Sequence, residues 1–547
     1  MKIVEREQQA ARSSLTIVDR VVGYFNPQAG FERLKGRMML DAATGVGGYN
    51  GGRRERRATK MWRPKAGSAN ADVLPDLPDL VARARELSRN VPIATGAIAT
   101  TKTNVVGDGI KLQASIDASV LGISPEAADA MEREQEREWT LFCANADFTR
   151  VQHFDEMSEL VFGSSLDSGD AFVVRRFRKD AGDVYGTKLQ LLEADRVSNP
   201  NRGADTTTLA GGVELDKDGV PQAYHVSDHH PGDLRAPVLN WSRIPARTDA
   251  GKPVVIHVYD RLRPDLTRGV PYLAPVIEHL KQFGEYTDAE VRAAVLTSYV
   301  TWFVKQTVPE DSEDPAKTVL GSRDSSLADD EIKLGSGALV DLGPNEDVTA
   351  PSPSRPNPQF DAFTQAFLRQ IGVALELPFE LLIKHFTASY SASRAALEMA
   401  WQFFRKKRKF LSRRLHQTVY EWMMEEAVAT GRLNRPGFFE DPVMRMAYLG
   451  AEWIGPARAS INPKAEAEAD EIDCRLGTKT LEQVCIERTG GRWEDKHRQS
   501  IKENTMRRDG GLITPDPQPG NQASPADATA NGSDAEDEAP QSKKASA

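Results

Sequence analysis

Cysteine is nearly absent: the 547 residues hold three, Cys143, Cys474 and Cys485, and no CxxC pair. That excludes a disulfide framework and a cysteine-type zinc site, and points to a reducing compartment. No GxxxxGKS/T motif occurs, and the glycine-rich stretch at 45–52 holds no lysine to reach a phosphate, which disfavours a P-loop motor. GxSxG, HExxH and paired Cys/His signatures are missing as well. The N-terminus, MKIVEREQQA, carries acids and lacks an apolar core, so it does not read as a secretory signal. The most apolar helical stretch, 291–304, contains Arg292 and falls short of the about 20 apolar residues that cross a bilayer. An excess of positive charge is also lacking, since 70 Lys and Arg against 79 Asp and Glu leave a net charge of −9. The chain reads as soluble and intracellular, and its total charge does not announce nucleic acid.

The length suits three or four domains, or one intertwined architecture. Charge is segregated along it. Arg53, Arg54, Arg56, Arg57, Lys60, Arg63 and Lys65 cluster near the start, in a stretch that reads as a flexible, solvated arm, and Asp534, Glu536, Asp537 and Glu538 cluster near the end. Helical periodicity runs from Leu77, breaks at Asn90-Val91-Pro92, resumes to Val106, and returns at 125–144 and 154–166. From 171 to 260 the texture becomes short β-branched runs, AFVVRRF, KLQLLEADRV, GVELDKDGVPQAYHV and VVIHVYD, with Asp218-Gly219 a hairpin signal. A long helix follows at 273–305, roughly 45–50 Å if unbroken. Strand signal appears in EIKLGSGALVDL, and the stiff APSPSRPNP leads into a helix with Phe360, Phe363, Phe367, Ile371 and Leu375 on one face. Further helices are expected at 465–476 and 480–487, and beyond Gly510 the composition predicts a disordered tail. The fold class is α+β, mainly helical.

The most informative stretch is 386–415, FTASYSASRAALEMAWQFFRKKRKFLSRRL, a small, hydroxyl-rich loop running into a helix. From Met399 to Tyr420 that helix carries seven Lys or Arg and no acid, with Ala396, Ala400, Phe403, Phe404, Leu411, Leu415, Val419 and Trp422 as the stripe to bury. A run of charge is more often a solvated face than a site. Here it is uncompensated over a whole helix and follows a flexible loop, which favours salt-sensitive, sequence-independent phosphate contacts. Other motifs are decoys. Asp167-Ser168-Gly169 imitates an aspartic-protease triplet but has no second copy. His225, His229, His230 and His257 lack metal-ligand spacing, and Asp216-Lys217-Asp218-Gly219 lacks the closing Glu of a calcium loop. Catalytic residues, metal sites and cofactors are therefore expected to be none.

Several stretches in order resemble the lambda family of bacteriophage portal proteins. They are YNGGRRERRATKMWRP with SANADVLPDLPDLVARARELSRNVPIATGAIATTKTNVVGDGIKL, SGDAFVVRR with LQLLEADRVSNP, RLRPDLTRGVPYLAPVIEHLKQFGEYTDAEVRAA, LPFELLIKHFTASYSASRAALEMAWQFFRKKRKFL, and AEWIGPARASINPKAEAEADEIDCRLGTKTLEQVC. The resemblance implies a ring, usually of twelve subunits, at one capsid vertex, whose channel passes double-stranded DNA. It implies wing, stem, clip and crown parts. By element order these map to a basic arm at 1–76, wing at 77–270, stem helices at 271–305 and 357–378, clip at 306–356, tunnel-loop region at 379–394, long basic wing helix at 395–430, crown at 431–510, and an acidic tail at 511–547. On that mapping Lys384, His385, Thr387, Ser389, Ser391, Ser393 and Arg394 would touch DNA in the channel. Arg405, Lys406, Lys407, Arg408, Lys409, Arg413 and Arg414 would meet DNA or acids of neighbouring subunits. Implied partners are other copies of the chain, the terminase large subunit, the major capsid or scaffold protein and a head-completion adaptor, with no membrane. The implied location is the virion, with assembly in the host cytoplasm. A head maturation protease using Asp167 and a monomeric nucleic-acid-binding adaptor are the rival readings.

Overall fold

The computed structural model describes residues 17–43, 61–235, 238–298, 303–306, 346–349, 359–386, 389–458, 460 and 462–512. The chain divides into two units, residues 1–76 with 263–266, and 77–262 with 267–547. In the first unit, α1 (Ile17–Phe25) and α2 (Pro27–Ala43) occupy part of what reads in sequence only as an arm. The Asn26 side chain accepts the Ala29 N–H at 3.3 Å, and Pro27 opens the second helix where no donor is needed. The short α3 (Ala69–Val73) is capped by Ser68, and Arg263 pairs with Asp72 at 2.6 Å.

The second unit begins with α4 (Leu77–Asn90), which buries Leu77, Val81, Ala84 and Leu87 at helical spacing. Pro92 starts α5 (Pro92–Val105), as the break at Asn90-Val91-Pro92 predicts. After β1 (Lys111–Ala114) and α6 (Ala118–Leu121) come α7 (Pro125–Cys143) and α8 (Phe154–Ser168), both close to their expected bounds. Two antiparallel sheets follow. One orders β3 (Thr187–Leu192), β2 (Asp170–Phe177) and β8 (Val255–Tyr259); the other runs in sequence through β4 (Leu209–Ala210), β5 (Val213–Leu215), β6 (Pro221–Ser227) and β7 (Trp241–Pro245). The Asp218-Gly219 turn joins β5 to β6. Asp216 accepts the Asp218 and Val220 N–H groups at 2.9 and 2.8 Å, and Gly219 takes φ +79°.

The next helix, α9 (Ile277–Ser298), is shorter than the 273–305 expected. At 1.5 Å per residue it spans about 33 Å. Residues 303–306 instead form β9 (Phe303–Gln306), paired antiparallel with β10 (Glu346–Thr349). The aromatic and β-branched run after Ser298 suits a pleated ladder better than a helix. EIKLGSGALVDL and most of 306–356 lie outside the described residues. α10 (Phe360–Ala374) packs on α9 through the expected aromatic stripe: Tyr286 meets Phe360 and Phe363 at ring distances of 5.7 and 5.1 Å, and Phe283 meets Phe367 at 6.0 Å.

After α11 (Phe379–Leu382), α12 (Tyr390–Leu411), a π turn (Ser412–His416) and α13 (Gln417–Ala429) form one uninterrupted helical run. Beyond α14 (Pro442–Tyr448) the chain does not stay helical, as a crown starting at 431 would have it. β11 (Ala451–Ile454) returns to pair with β1, Trp453 opposite Leu112. Trp453 thereby enters the main core beside Trp139, His416 and Tyr420. α15 (Pro463–Leu476) and α16 (Leu481–Thr489) match expectation, whereas α17 (Trp493–Asp509), polar on all sides, carries no periodic signal to reveal it.

Candidate nucleic-acid interface and its internal anchors

The approach to the basic helix is set by backbone geometry. Past α10, Leu377 N–H bonds back to Gly372 O at 2.9 Å, and Lys384 exits α11 at φ +54° with the His385 N–H on Glu380 O at 3.0 Å. Lys384, His385 and Phe386 are exposed; Thr387 and Ala388 lie outside the described residues. Ser389 is the N-cap of α12, its hydroxyl accepting the Ala392 N–H at 3.4 Å and its carbonyl the Ser393 N–H at 2.9 Å. Its side chain is thus engaged in starting the helix. Ser391 and Arg394 are exposed and Ser393 half-buried.

Within α12 the stripe reads as expected: Ala400, Phe403, Phe404 and Leu411 are buried, and Leu415, Val419 and Trp422 continue it beyond the π turn. Ser391, Arg394, Gln402, Arg405 and Lys409 recur on the opposite side at helical spacing. Among the described residues, Arg405, Lys406, Lys409, Arg413 and Arg414 have no acidic partner. Two other cations of the run are committed inside the subunit. Lys407 pairs with Asp260 at 2.7 Å and lies over Phe403.

Arg408 departs furthest from the expectation of a DNA or intersubunit contact. Its guanidinium donates to Val105 O at 3.1 Å, Asn104 O at 2.8 Å and Pro456 O at 3.2 Å, and it stacks over Trp401. Two of those carbonyls belong to the open C-terminal end of α5, where a cation also meets the negative end of the helix dipole. Gly455 lets the side chain through, since a Cβ there would fall 2.3 Å from Arg408 Nε. Burial, with the Arg405 charge second, pushes its pKa down to about 10, so it remains a cation at neutral pH.

The second half of the run is acidic and buried. Glu425 binds Arg175, Lys252 and Arg445 at 3.0, 2.9 and 2.7 Å, and Glu426 accepts the Gly186 and Thr187 N–H groups at 2.6 and 2.7 Å. At the π turn His416 is fully buried, with Ser158 Oγ at 3.2 Å and the Phe154 and Trp453 rings at 5.3 and 5.1 Å. Burial pushes its pKa down to about 3, so the ring is neutral. The helix is therefore held at its acidic end and presents cations at its basic end.

A second internal anchor draws together segments far apart in sequence. Asp170, fully buried at the head of β2, accepts from His257 Nε2 at 2.7 Å, Arg268 Nε at 2.6 Å and the Gly269 N–H at 2.7 Å. Arg268 also donates to the carbonyls of Val197, Gly211 and Ala194 at 2.8, 2.8 and 3.0 Å. Burial alone would raise the Asp170 carboxyl, but Arg268 and then His257 hold it below the ordinary range. Gly169 and Gly269 let the two backbones meet, since a Cβ on Gly269 would lie 2.0 Å from Gly169 O. The sequence clue was a charged residue beside a glycine, opening an apolar strand in one segment and preceding a Gly-Val-Pro turn in the other.

The decoys resolve as ordinary structure. Asp167 accepts from Ser88 Oγ at 2.6 Å and shares a hydrogen bond with no second carboxylate among the described residues. His225 meets Glu214 at 3.2 Å. Glu193, Asp195 and His230 cluster within 4.8 Å, but Arg85 pairs with both acids at 3.4 and 2.6 Å, which makes the group an ion-pair network. Among the described residues no helix is long and apolar enough to cross a membrane.

The model of the family described as "Phage portal protein, lambda family" matches residues 55–408. The portal protein of Escherichia phage N15 is 26% identical over 492 residues, covering 86% of this chain and 91% of the relative. Portal protein B of Escherichia phage lambda is 25% identical over 479 residues, covering 83% and 89%. A chain from the neck of a native GTA particle, solved with C12 symmetry, aligns at TM-score 0.41 and 15% identity over 79% of this chain and 96% of that one.

Proposed function

Because the chain belongs to the lambda family of phage portal proteins, we propose that it closes into a ring of about a dozen copies at one capsid vertex and conducts double-stranded DNA. The family is structural, not enzymatic, so the energy for packaging comes from a separate motor, read here as the terminase large subunit docking on the ring. The observation that carries this reading is the span of the match, 55–408. It contains the aromatic-zipped pair α9 and α10, the segment between them, and the loop that leads into α12. On this reading α9 and α10 are the stem, 306–356 the clip that meets terminase and afterwards a head-completion adaptor, 77–270 the wing, and 379–394 the tunnel-loop region. Capsid or scaffold protein surrounds the ring, and assembly takes place in the host cytoplasm.

DNA contact in this reading falls to Lys384, His385, Arg394 and the loop hydroxyls, backed by Arg405 and Lys409. Arg394 and Arg405 lie 11 residues apart, about 16 Å along the helix. Each phosphate neutralised adds a salt-dependent increment of about 0.9 to the slope of log affinity against log salt. A few contacts per subunit leave DNA free to slide, where a dense cationic wall would pin it. Negative-stain imaging and native mass of the purified chain test the ring. Closed rings of about a dozen subunits are expected, and a monomer across a range of salt and protein concentrations would refute it.

A further inference from the structure

A cleft of about 580 Å³ opens between β1, α7 and the start of α17, floored by Trp139 and Cys143. Its rim is cationic: Lys111, Arg133, Arg137 and Lys496 line it, all exposed and, among the described residues, without an acidic hydrogen-bond or ion-pair partner. Arg133 and Arg137 are one helical turn apart on α7 and project on the same side. Arg492, at the back, is already committed to Glu136. The cleft is concave, and its five Lys and Arg outnumber the acids Glu136, Asp155 and Asp495, which suits a short acidic peptide better than the convex surface of a duplex.

The chain itself supplies such a peptide. Twenty-one residues past Leu512 it reads SDAEDE, Ser533 to Glu538, with four acids in the last five residues. The described structure ends at Leu512, at the far end of α17, and the cleft sits at the near end, where Lys496 is. The 17 residues of α17 span about 25 Å. The 20 residues between Leu512 and Ser533 reach at most about 70 Å, well beyond the length of α17.

We propose that the acidic segment 533–538 docks in this cleft, on Lys111, Arg133, Arg137 and Lys496. The occupant is this chain's own tail, from the same or an adjacent copy, and the contact is electrostatic and salt-sensitive. The surface is separate from the basic helix, so the inference stands whether or not the ring conducts DNA.

The test uses full-length protein. In one variant the tail acids are neutralised, Asp534→Asn, Glu536→Gln, Asp537→Asn and Glu538→Gln; a second carries Arg133→Glu and Arg137→Glu on top of these. A fluorescent peptide of sequence NGSDAEDEAP is the probe, read by anisotropy at low salt. The neutralised-tail chain should bind the peptide at least tenfold more tightly than the parent, whose own tail competes. The Arg133/Arg137 variant should lose that binding, and Arg133→Gln with Arg137→Gln should lose it in part. Equal binding to parent and neutralised-tail chains overturns the proposal. So does a short DNA duplex that binds the neutralised-tail chain more tightly than the peptide and loses that binding on the Arg133/Arg137 changes. Zero-length carbodiimide cross-linking of the parent should join Lys111 or Lys496 to the 534–538 carboxylates, and cross-links only elsewhere would overturn it independently.

Discussion

Arg408 and Lys409 are adjacent in a run of five cations, yet replacing them should have opposite consequences. Arg408→Ala removes three charge-assisted hydrogen bonds to Val105, Asn104 and Pro456 carbonyls and a stacking contact on Trp401. Each such bond contributes about 1.5–3 kcal/mol, which bounds the loss near 9 kcal/mol. Water reaching the freed carbonyls at this half-buried site reduces that, and about 3–4 kcal/mol is the expected cost. Arg408→Lys cannot span all three acceptors and should lose about half as much. Lys409→Ala and Arg405→Ala remove exposed charges without acidic partners and should stay within about 0.5 kcal/mol of the parent. Urea unfolding followed by circular dichroism reads the first effect. DNA packaged per particle reads the second, where Arg405→Ala with Lys409→Ala should lower the yield. A stable Arg408→Ala chain beside an unfolded Lys409→Ala chain would refute the assignment of internal and external cations.

The buried imidazole of His416 makes stability depend on pH. Its folded pKa of about 3 lies below the unfolded 6.5, so its contribution is complete above 6.5 and lost as pH falls toward 3. Between pH 7.5 and pH 5 it accounts for about 2 kcal/mol. That increment should vanish in His416→Phe, and equal acid sensitivity in parent and variant would contradict it. Asp170→Asn leaves Arg268 buried without its counter-ion and should cost about 3–5 kcal/mol by denaturant unfolding. Gly269→Ala has no room for its Cβ and should destabilise as well; parent-like melting of either variant would refute the buried-anchor reading. Shortening the connection between Phe386 and the α12 N-cap Ser389 should leave ring assembly intact while reducing DNA packaged or retained. Parent-level packaging would count against that loop touching DNA.

Much of the molecule was legible in one dimension because its signals are local. The periodicity of α4, α7, α12 and α15, the Pro92 helix start and the Asp218-Gly219 turn each depend on residues within a few positions of one another. α9 ends short of the sequence expectation because an apolar, β-branched run serves helix or strand, and pairing with β10, about 40 residues on, decides between them. α17 has no sequence signal because it lacks an apolar face to mark it as a helix.

For the basic helix, sequence alone determined which side is buried, since 3.6-residue periodicity assigns each apolar position its face. It also determined that the charge is of one sign. Only the tertiary structure decided which cations are spoken for. Arg408 is tied to carbonyls more than 300 residues away along the chain and Lys407 to Asp260, whereas Arg405 and Lys409 face outward. Asp170 and Arg268, 98 residues apart, likewise meet only after the sheets form. A charge shows its type in the sequence, but its counter-charge or acceptor is a neighbour in space, and folding chooses that neighbour.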